Sequence, residues 1–419
     1  MKMHAFIFLY LFISVSCIDS DPLVPPDMPK GCEKDTIITK IKPKWQFIIQ
    51  ELDSSSALIT KPLIYNGNII YAKILNKLPS SLVMRNAWTG EKIWETYDQE
   101  FASVGFKLDN VVYKDKLFYF KDGGSGSNEI IVINLINGKI IYKQNIDNFY
   151  IRISSFSNYV YYKTFEKEVP FADSVTMWEF NLDDYSCRKL FTINKKDGFS
   201  PSLESAVCFL DFKGDTILFC QNRQVGITDR GRIGVMAYNI SQRKFIWQHE
   251  NVDYSKNSTV HPALYYKDHV YFKGGAMLYC YNAFSGEIKW SKDVSALTGG
   301  DMVLGNFLIE ENLVIVHCNK GTIVAYDADN GSMKWFVAGS ADTINGMVYY
   351  DGKVYIDSGA DGNLHSVDIR SGKKIWNEVS PNENCYKNAS FATCYLTIDA
   401  NLGLLFAHDS YYIMGVNLK

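Results

Sequence analysis

Apolar and polar residues alternate along most of this chain, in short runs that end at glycine, asparagine or aspartate. Alternation with a period of two predicts half-buried β-strands. Asn-Gly and Asp-Gly pairs inside the runs, as in Leu63–Tyr71 and Met347–Tyr355, predict tight hairpins. A helical apolar period is nowhere sustained for about ten residues, so the pattern predicts almost no helix.

One turn-and-strand unit recurs eight times. A strand ends at an anchoring Asn or Asp, a turn carries Gly, and a second strand places an aromatic residue about eight positions after the anchor. The fullest copies are 280–290, 325–335 and 366–376, and the weaker ones are 84–94, 133–142, 180–187, 237–247 and 414–419. The copies at 180–187 and 237–247 have lost the turn glycine.

The spacing of these copies predicts the fold class. Their anchors stand 41 to 58 residues apart, at Asn86, Asn134, Asn181, Asn239, Asn282, Asp327, Asp368 and Asn417. That is the length of a four-stranded blade, so we predict an all-β, eight-bladed β-propeller of four-stranded antiparallel blades.

The two chain ends are predicted to close the ring together. The eighth copy ends at Lys419 without its last strand, and Lys44–Phe47 carries an aromatic with no strands before it. Pairing this segment with Val416–Leu418 removes an open sheet edge. Seven blades is the alternative, because the copy around Asn181 is degenerate and the step before Asn239 is irregular.

Three segments are expected. Residues 1–17 have the form of a lipoprotein signal peptide, in which Cys17 would be lipidated, and an ordinary secretory signal is the alternative. Residues 18–40 form a Pro-rich tether, and residues 41–419 form the propeller. We therefore expect an outer membrane lipoprotein, either periplasmic or exposed at the cell surface.

Charge and cysteine usage narrow the alternatives. The net charge of −3 argues against nucleic-acid binding, and we expect a monomer. No spacing of Cys and His resembles a zinc site, so no metal is predicted. Two disulfides are possible, one between Cys208 and Cys220 and one between Cys385 and Cys394. The alternative is that these cysteines are small apolar core residues.

The phrase Asp/Asn-Ala-x-x-Gly-x-x-x-Trp, clearest at 282–290, 327–335 and 368–376, resembles the repeat of pyrroloquinoline-quinone-type β-propellers. The resemblance extends more weakly over residues 41–419. It implies blades locked by docked tryptophans, with Tyr142 substituting in the second blade. The residues in question are Trp45, Trp94, Trp247, Trp290, Trp335 and Trp376.

That superfamily contains enzymes and non-enzymes, so the fold does not decide activity. Its quinoprotein dehydrogenases bind pyrroloquinoline quinone and calcium at the axis, and many carry a disulfide between adjacent cysteines, which this sequence lacks. Its non-enzymatic branch includes the propeller lipoprotein subunit of the outer-membrane β-barrel assembly machinery. We expect a non-enzyme without a cofactor; the alternative is a dehydrogenase that uses pyrroloquinoline quinone and calcium.

Loop lengths predict where partners bind. Short turns are expected on one face of the ring and long connections on the other, which include 121–129, 164–176, 193–204, 221–232 and 377–390. Binding residues concentrate on loops held by a rigid scaffold. The candidates at the channel mouth are Lys61, Arg152, His261, Asp301 and Asn345, and those on one long loop are Arg223, Arg230 and Arg232.

The leading hypothesis is a non-catalytic, lipid-anchored scaffold of the bacterial envelope that docks an envelope protein or glycan on its loop-rich face. A quinoprotein dehydrogenase is one alternative. A carbohydrate-binding module that uses Phe149, Tyr150 and Phe171 is another.

Overall fold

The computed structural model is a ring of eight four-stranded antiparallel sheets. It describes residues 39, 41–49, 61–73, 81–97, 110–121, 128–146, 149–165, 172–226, 231–253, 262–298, 304–318, 322–338, 346–357, 361–383, 389–391 and 395–419. The prediction of eight blades is confirmed, and seven is wrong. Within the described residues the only helix is α1 (Ser295–Thr298), and none is long and apolar enough to cross a bilayer.

Each blade runs through four strands in chain order, which we call A to D. The first strand, β1 (Pro43–Ile48), closes the ring by joining the last blade. Blade 1 is β2 (Leu63–Tyr65), β3 (Asn68–Lys73), β4 (Ser81–Asn86) and β5 (Lys92–Tyr97); blade 2 is β6 (Val111–Tyr113), β7 (Lys116–Lys121), β8 (Asn128–Asn134) and β9 (Ile140–Ile146). Blade 3 is β10 (Phe149–Phe156), β11 (Tyr159–Phe165), β12 (Ser174–Asn181) and β13 (Cys187–Asn194); blade 4 is β14 (Ser200–Leu210), β15 (Thr216–Val225), β16 (Arg232–Asn239) and β17 (Lys244–Asp253).

The second half of the chain repeats this order. Blade 5 is β18 (Leu264–Tyr266), β19 (His269–Gly274), β20 (Met277–Asn282) and β21 (Ile288–Asp293); blade 6 is β22 (Leu304–Glu310), β23 (Leu313–Cys318), β24 (Thr322–Asp327) and β25 (Met333–Val337). Blade 7 is β26 (Met347–Tyr350), β27 (Lys353–Asp357), β28 (Leu364–Asp368) and β29 (Lys374–Glu378); blade 8 is β30 (Thr397–Asp399), β31 (Leu404–His408) and β32 (Tyr412–Asn417), with β1 as its strand D.

The closure between the chain ends is confirmed. Trp45 lies opposite Gly415 and Ile48 opposite Tyr412, so β1 pairs along most of β32. The pairing reaches further back than the predicted Val416–Leu418 segment. A second tie comes from Asn382, whose side-chain amide exchanges 3.3 Å hydrogen bonds with that of Gln46.

The core lies between the blades. Apolar clusters join neighbouring sheets, as where Ile70 and Ala72 of blade 1 pack with Leu117 and Tyr119 of blade 2. Strands A of consecutive blades contact one another around much of the ring, which places them at its centre. A–B and C–D turns therefore share one face, the turn face, and B–C and D–A connections share the other, the loop face.

Tryptophans within the D strands contact the next blade. Five indoles donate to a backbone carbonyl just after the anchor of that blade: Trp45 to Ala87, Trp94 to Leu135, Trp247 to Ala283, Trp290 to Ala328 and Trp335 to Ile369, at 2.8–3.1 Å. Among the described residues the Trp376 indole makes no such bond. The matching turn in blade 8 is the gap between the two chain ends.

The turn glycine and the preceding tryptophan occur together for a steric reason. Gly372 has φ +69°, and a Cβ there would lie 2.7 Å from the Trp335 ring. Blade 2 has Tyr142 in place of tryptophan, and the next turn has Tyr185 with φ 64°, its ring 4.4 Å from that of Tyr142. Blade 3 has no tryptophan at this place, and the next turn has Arg243 with φ 55°. The two copies that lost the glycine thus follow the two blades that lost the tryptophan.

Candidate functional site

Blade 4 departs most from the predicted strands. The predicted loops 193–204 and 221–232 are wrong in part, because β13 and β14 include residues 193–194 and 200–204, and β15 and β16 include residues 221–225 and 232. Ser200 to Glu204 pair with Gln221 to Val225. This hairpin raises blade 4 on the loop face.

The longer strands relocate two candidate arginines. Arg223 lies within β15, opposite Ser202 and Ile233, and Arg232 is the first residue of β16. The prediction that they share a loop is therefore wrong. Arg232 lies 4.1 Å above the Phe199 ring and 3.8 Å from Asp197, so its charge is partly compensated.

The predicted channel mouth is described only in part. Lys61 is exposed, although the protein around it lowers the pKa of its amine by partial burial. Arg152 is the fourth residue of β10, opposite Tyr162, and so lies inside the strand. The remaining candidates lie outside the described residues: Cys17, Phe171, Arg230, His261, Asp301, Asn345, Cys385 and Cys394.

The disulfide considered as one possibility for Cys208 and Cys220 is absent from the structure, in which both are buried free thiols. The five-residue turn 211–215 sets a register in which Cys208 faces Leu218 and not Cys220. Burial raises the pKa of Cys220 to about 12, which keeps the thiol protonated. Both cysteines belong to the apolar cluster between blades 3 and 4, as the alternative interpretation held.

The fifth residue of strand B is buried in every blade, and it is ionisable in six of them. The eight residues are Ala72, Phe120, Lys163, Cys220, Lys273, His317, Asp357 and His408. Burial lowers the pKa of Lys163 and of Lys273, and it lowers the pKa of His408 to about 3. Aligning strands B by their turns would have revealed this set from sequence, whereas its burial needed the structure.

Lys163 belongs to a charged cluster between blades 3 and 4, formed by Lys163, Ser202, Glu204 and Arg223. The Lys163 amine donates to the Ser202 hydroxyl at 2.9 Å, and that hydroxyl donates to Glu204 Oε1 at 3.1 Å. Arg223 Nη1 lies 3.9 Å from the same Oε1. Glu204 Oε2 and Arg223 Nε are buried without a hydrogen-bond partner. Such atoms are uncommon in folded proteins and carry a free-energy cost.

This charged cluster does not fit calcium. Calcium takes six to eight oxygen ligands, whereas the cluster offers the Glu204 carboxylate and the Ser202 hydroxyl beside two cationic side chains. Elsewhere in the described part of the chain, no three His, Cys, Asp or Glu side chains are placed to hold a metal ion.

The comparisons with known proteins concern the repeat and the fold. Residues 230–393 match the family model described as outer membrane protein assembly factor BamB. No curated protein sequence matches this chain significantly.

Three solved structures illustrate the likeness in fold. BamB from Moraxella catarrhalis superposes with a TM-score of 0.54 at 10% identity, covering 90% of this chain and 98% of that one. Quinohemoprotein alcohol dehydrogenase ADHIIG from Pseudomonas putida HK5 has a TM-score of 0.57 at 11% identity, covering 91% and 77%. The computationally designed protein Ika8 has a TM-score of 0.54 at 10% identity, covering 88% and 99%. Together with the repeat, these findings support a pyrroloquinoline-quinone-like β-propeller fold for this chain.

Proposed function

We propose that this protein is a non-catalytic, lipid-anchored scaffold of the bacterial cell envelope that docks an envelope protein on its loop face. The observation that carries the proposal is blade 4, whose strands of 8–11 residues extend beyond the other blades on that face. A rigid sheet that projects from a ring offers a partner a preformed surface, which lowers the entropy lost on binding.

The surface beside blade 4 suits a polar protein contact. Residues 195–198 are exposed on the connection into β14 and carry charges of both signs. Lys196 bonds Glu250 of β17 at 2.8 Å, which orders this edge. Arginine, also present here as Arg232, is enriched at protein interfaces.

The likeness to BamB supports a scaffold role in the envelope, because BamB is an outer membrane protein assembly factor. The matched segment runs from strand C of blade 4 through blade 7. At about 10% identity the whole-chain likeness concerns the fold alone, so the partner is proposed from the surface and not transferred. Lipidation at Cys17 and an outer membrane location are part of the same proposal.

The test is affinity capture of the full-length, lipidated protein from its native envelope. We expect a specific envelope protein to copurify, and replacement of surface residues Lys195 and Lys196 by Glu to reduce its recovery. A Cys17→Ser variant tests the lipid anchor, because the variant should no longer be found in the membrane fraction. Capture that is unaffected by the charge reversal would contradict docking at this edge.

A quinoprotein dehydrogenase is the second candidate, favoured by the structural likeness to ADHIIG. Binding residues for quinone and calcium would have to come from outside the charged cluster, which does not fit calcium. Adding pyrroloquinoline quinone and calcium to the purified protein, with alcohols and sugars as substrates, tests it. Turnover under these conditions would replace the scaffold proposal.

A further inference from the structure

We propose that the charged cluster between blades 3 and 4 binds a small neutral polyhydroxylated ligand, of the class of a monosaccharide or the end of a glycan. Glu204 would accept from a ligand hydroxyl and Arg223 would donate to one. This goes beyond the proposed docking of a protein, and either proposal can fail alone.

The two atoms without a hydrogen-bond partner, Glu204 Oε2 and Arg223 Nε, determine which ligand groups the cluster can bind. Glu204 is only 5% exposed, and its Oε2 has no hydrogen-bond partner. Arg223 Nε is likewise buried and unpartnered. Although the two side chains approach at 3.9 Å through Oε1 and Nη1, that distance is too long for a hydrogen bond. A buried acceptor and a buried donor thus lie close together and are not satisfied by each other.

Charge decides which ligand fits. An anion would meet the Glu204 carboxylate, and a cation would meet Arg223 and the Lys163 amine, which lies one hydroxyl away through Ser202. A hydroxyl group both donates and accepts. Neighbouring hydroxyls on one neutral molecule therefore satisfy both unpartnered atoms without placing a new charge in a buried site.

The cluster also has an approach and an apolar wall. The Arg223 side chain is 28% exposed whereas that of Glu204 is 6% exposed, so solvent reaches the cluster from the arginine side. The Phe165 ring lies 5.9 Å from the Lys163 amine. Ligand sites commonly combine aromatic walls with a few placed polar groups.

The experiment uses the full-length protein with D-glucose, D-mannose, D-galactose and N-acetylglucosamine as probes, and with phosphate and triglycine as comparators. Binding is measured by ligand-observed NMR and calorimetry. We expect at least one sugar to bind with a Kd below about 1 mM. Glu204→Gln should weaken binding about 10-fold or more, because the amide nitrogen cannot accept a hydrogen bond.

A matched control is available in blade 3. Glu179 is also 5% exposed, but it bonds Arg188 at 2.7 Å, so Glu179→Gln should leave sugar binding unchanged. Arg223→Gln provides a second variant if Glu204→Gln fails to fold. The proposal is overturned if both glutamate variants lose binding equally, or if only phosphate or triglycine binds. It is also overturned if no probe binds.

Discussion

Blades 5–7 and blades 3–4 solve the same packing problem differently. Blades 5–7 have strands of 3–7 residues, glycine at each C–D turn and tryptophan at each D strand. Blades 3–4 have strands of 7–11 residues, Tyr185 and Arg243 at the turns, and the buried charged cluster. Blades 5 and 6 interlock with the next blade through the indole bonds of Trp290 and Trp335, and blade 4 does so through Trp247. The charged cluster, in contrast, lies only where blades 3 and 4 meet.

The match to the BamB family model covers mostly the regular blades, 5–7. The matched segment 230–393 covers β16 to β29 and therefore mostly the regular blades. Lys163, Ser202, Glu204 and Arg223 all lie outside it. Similarity to other propellers is carried by the residues that build the ring, so the chemistry of the charged cluster has to be established on this chain.

The largest expected effect is in the regular blades. Trp335 is 8% exposed and its indole donates to Ile369 O at 2.8 Å, so Trp335→Ala should lower the free energy of unfolding by about 3–5 kcal/mol. Trp376 is half-buried and makes no such bond among the described residues, so Trp376→Ala should lower the free energy of unfolding by less. Urea denaturation measures both, and equal losses would contradict the role given to the indole bond.

The second prediction concerns the pH dependence of stability that arises from His408, the buried fifth residue of strand B in blade 8. Burial holds the pKa of His408 at about 3, below its unfolded value of 6.5, so the folded state favours the neutral ring. Its contribution is fully present above about pH 6.5 and is lost as pH falls toward 3. At pH 4.5 the loss should be about 2–3 kcal/mol relative to pH 7. The raised pKa of neighbouring Asp409, also caused by burial, acts in the opposite direction and offsets part of it.

Urea denaturation at pH 7 and pH 4.5 provides the measurement. The His408→Gln variant should lose less stability on acidification than the unmodified protein. An identical pH dependence in the two proteins would show that other groups dominate the acid response.

A smaller effect sharpens the comparison at the turns. Gly372→Ala places a Cβ at a positive φ and 2.7 Å from the Trp335 ring, and should cost about 1–3 kcal/mol. Arg243→Gly, in the turn that follows a blade without tryptophan, should change stability by less than about 1 kcal/mol. Thermal or urea unfolding distinguishes them. If Gly372→Ala left the free energy of unfolding unchanged, the proposed steric link between the turn glycine and the indole would be contradicted.

The sequence was sufficient for the ring and insufficient for the charged cluster, for physical reasons. Alternation, turn residues and the repeated aromatic are local signals, so they predicted eight blades and the closure by Trp45. The extension of β14 and β15 depends on pairing of polar residues such as Ser202 and Asn222, which lack the apolar alternation of a strand. Arg223 therefore appeared to lie on a loop. The meeting of Lys163 with Ser202 joins two blades, and spacing along the chain does not reveal it.

The most direct test of the account compares the two faces by photo-cross-linking in the native envelope. A cross-linking residue is placed at Lys195, exposed on the loop face between blades 3 and 4, and separately at Asn330, exposed on the turn face of blade 6. The account predicts a discrete protein adduct from position 195 and none from position 330. Adducts of equal yield from both positions, or from position 330 alone, would contradict it.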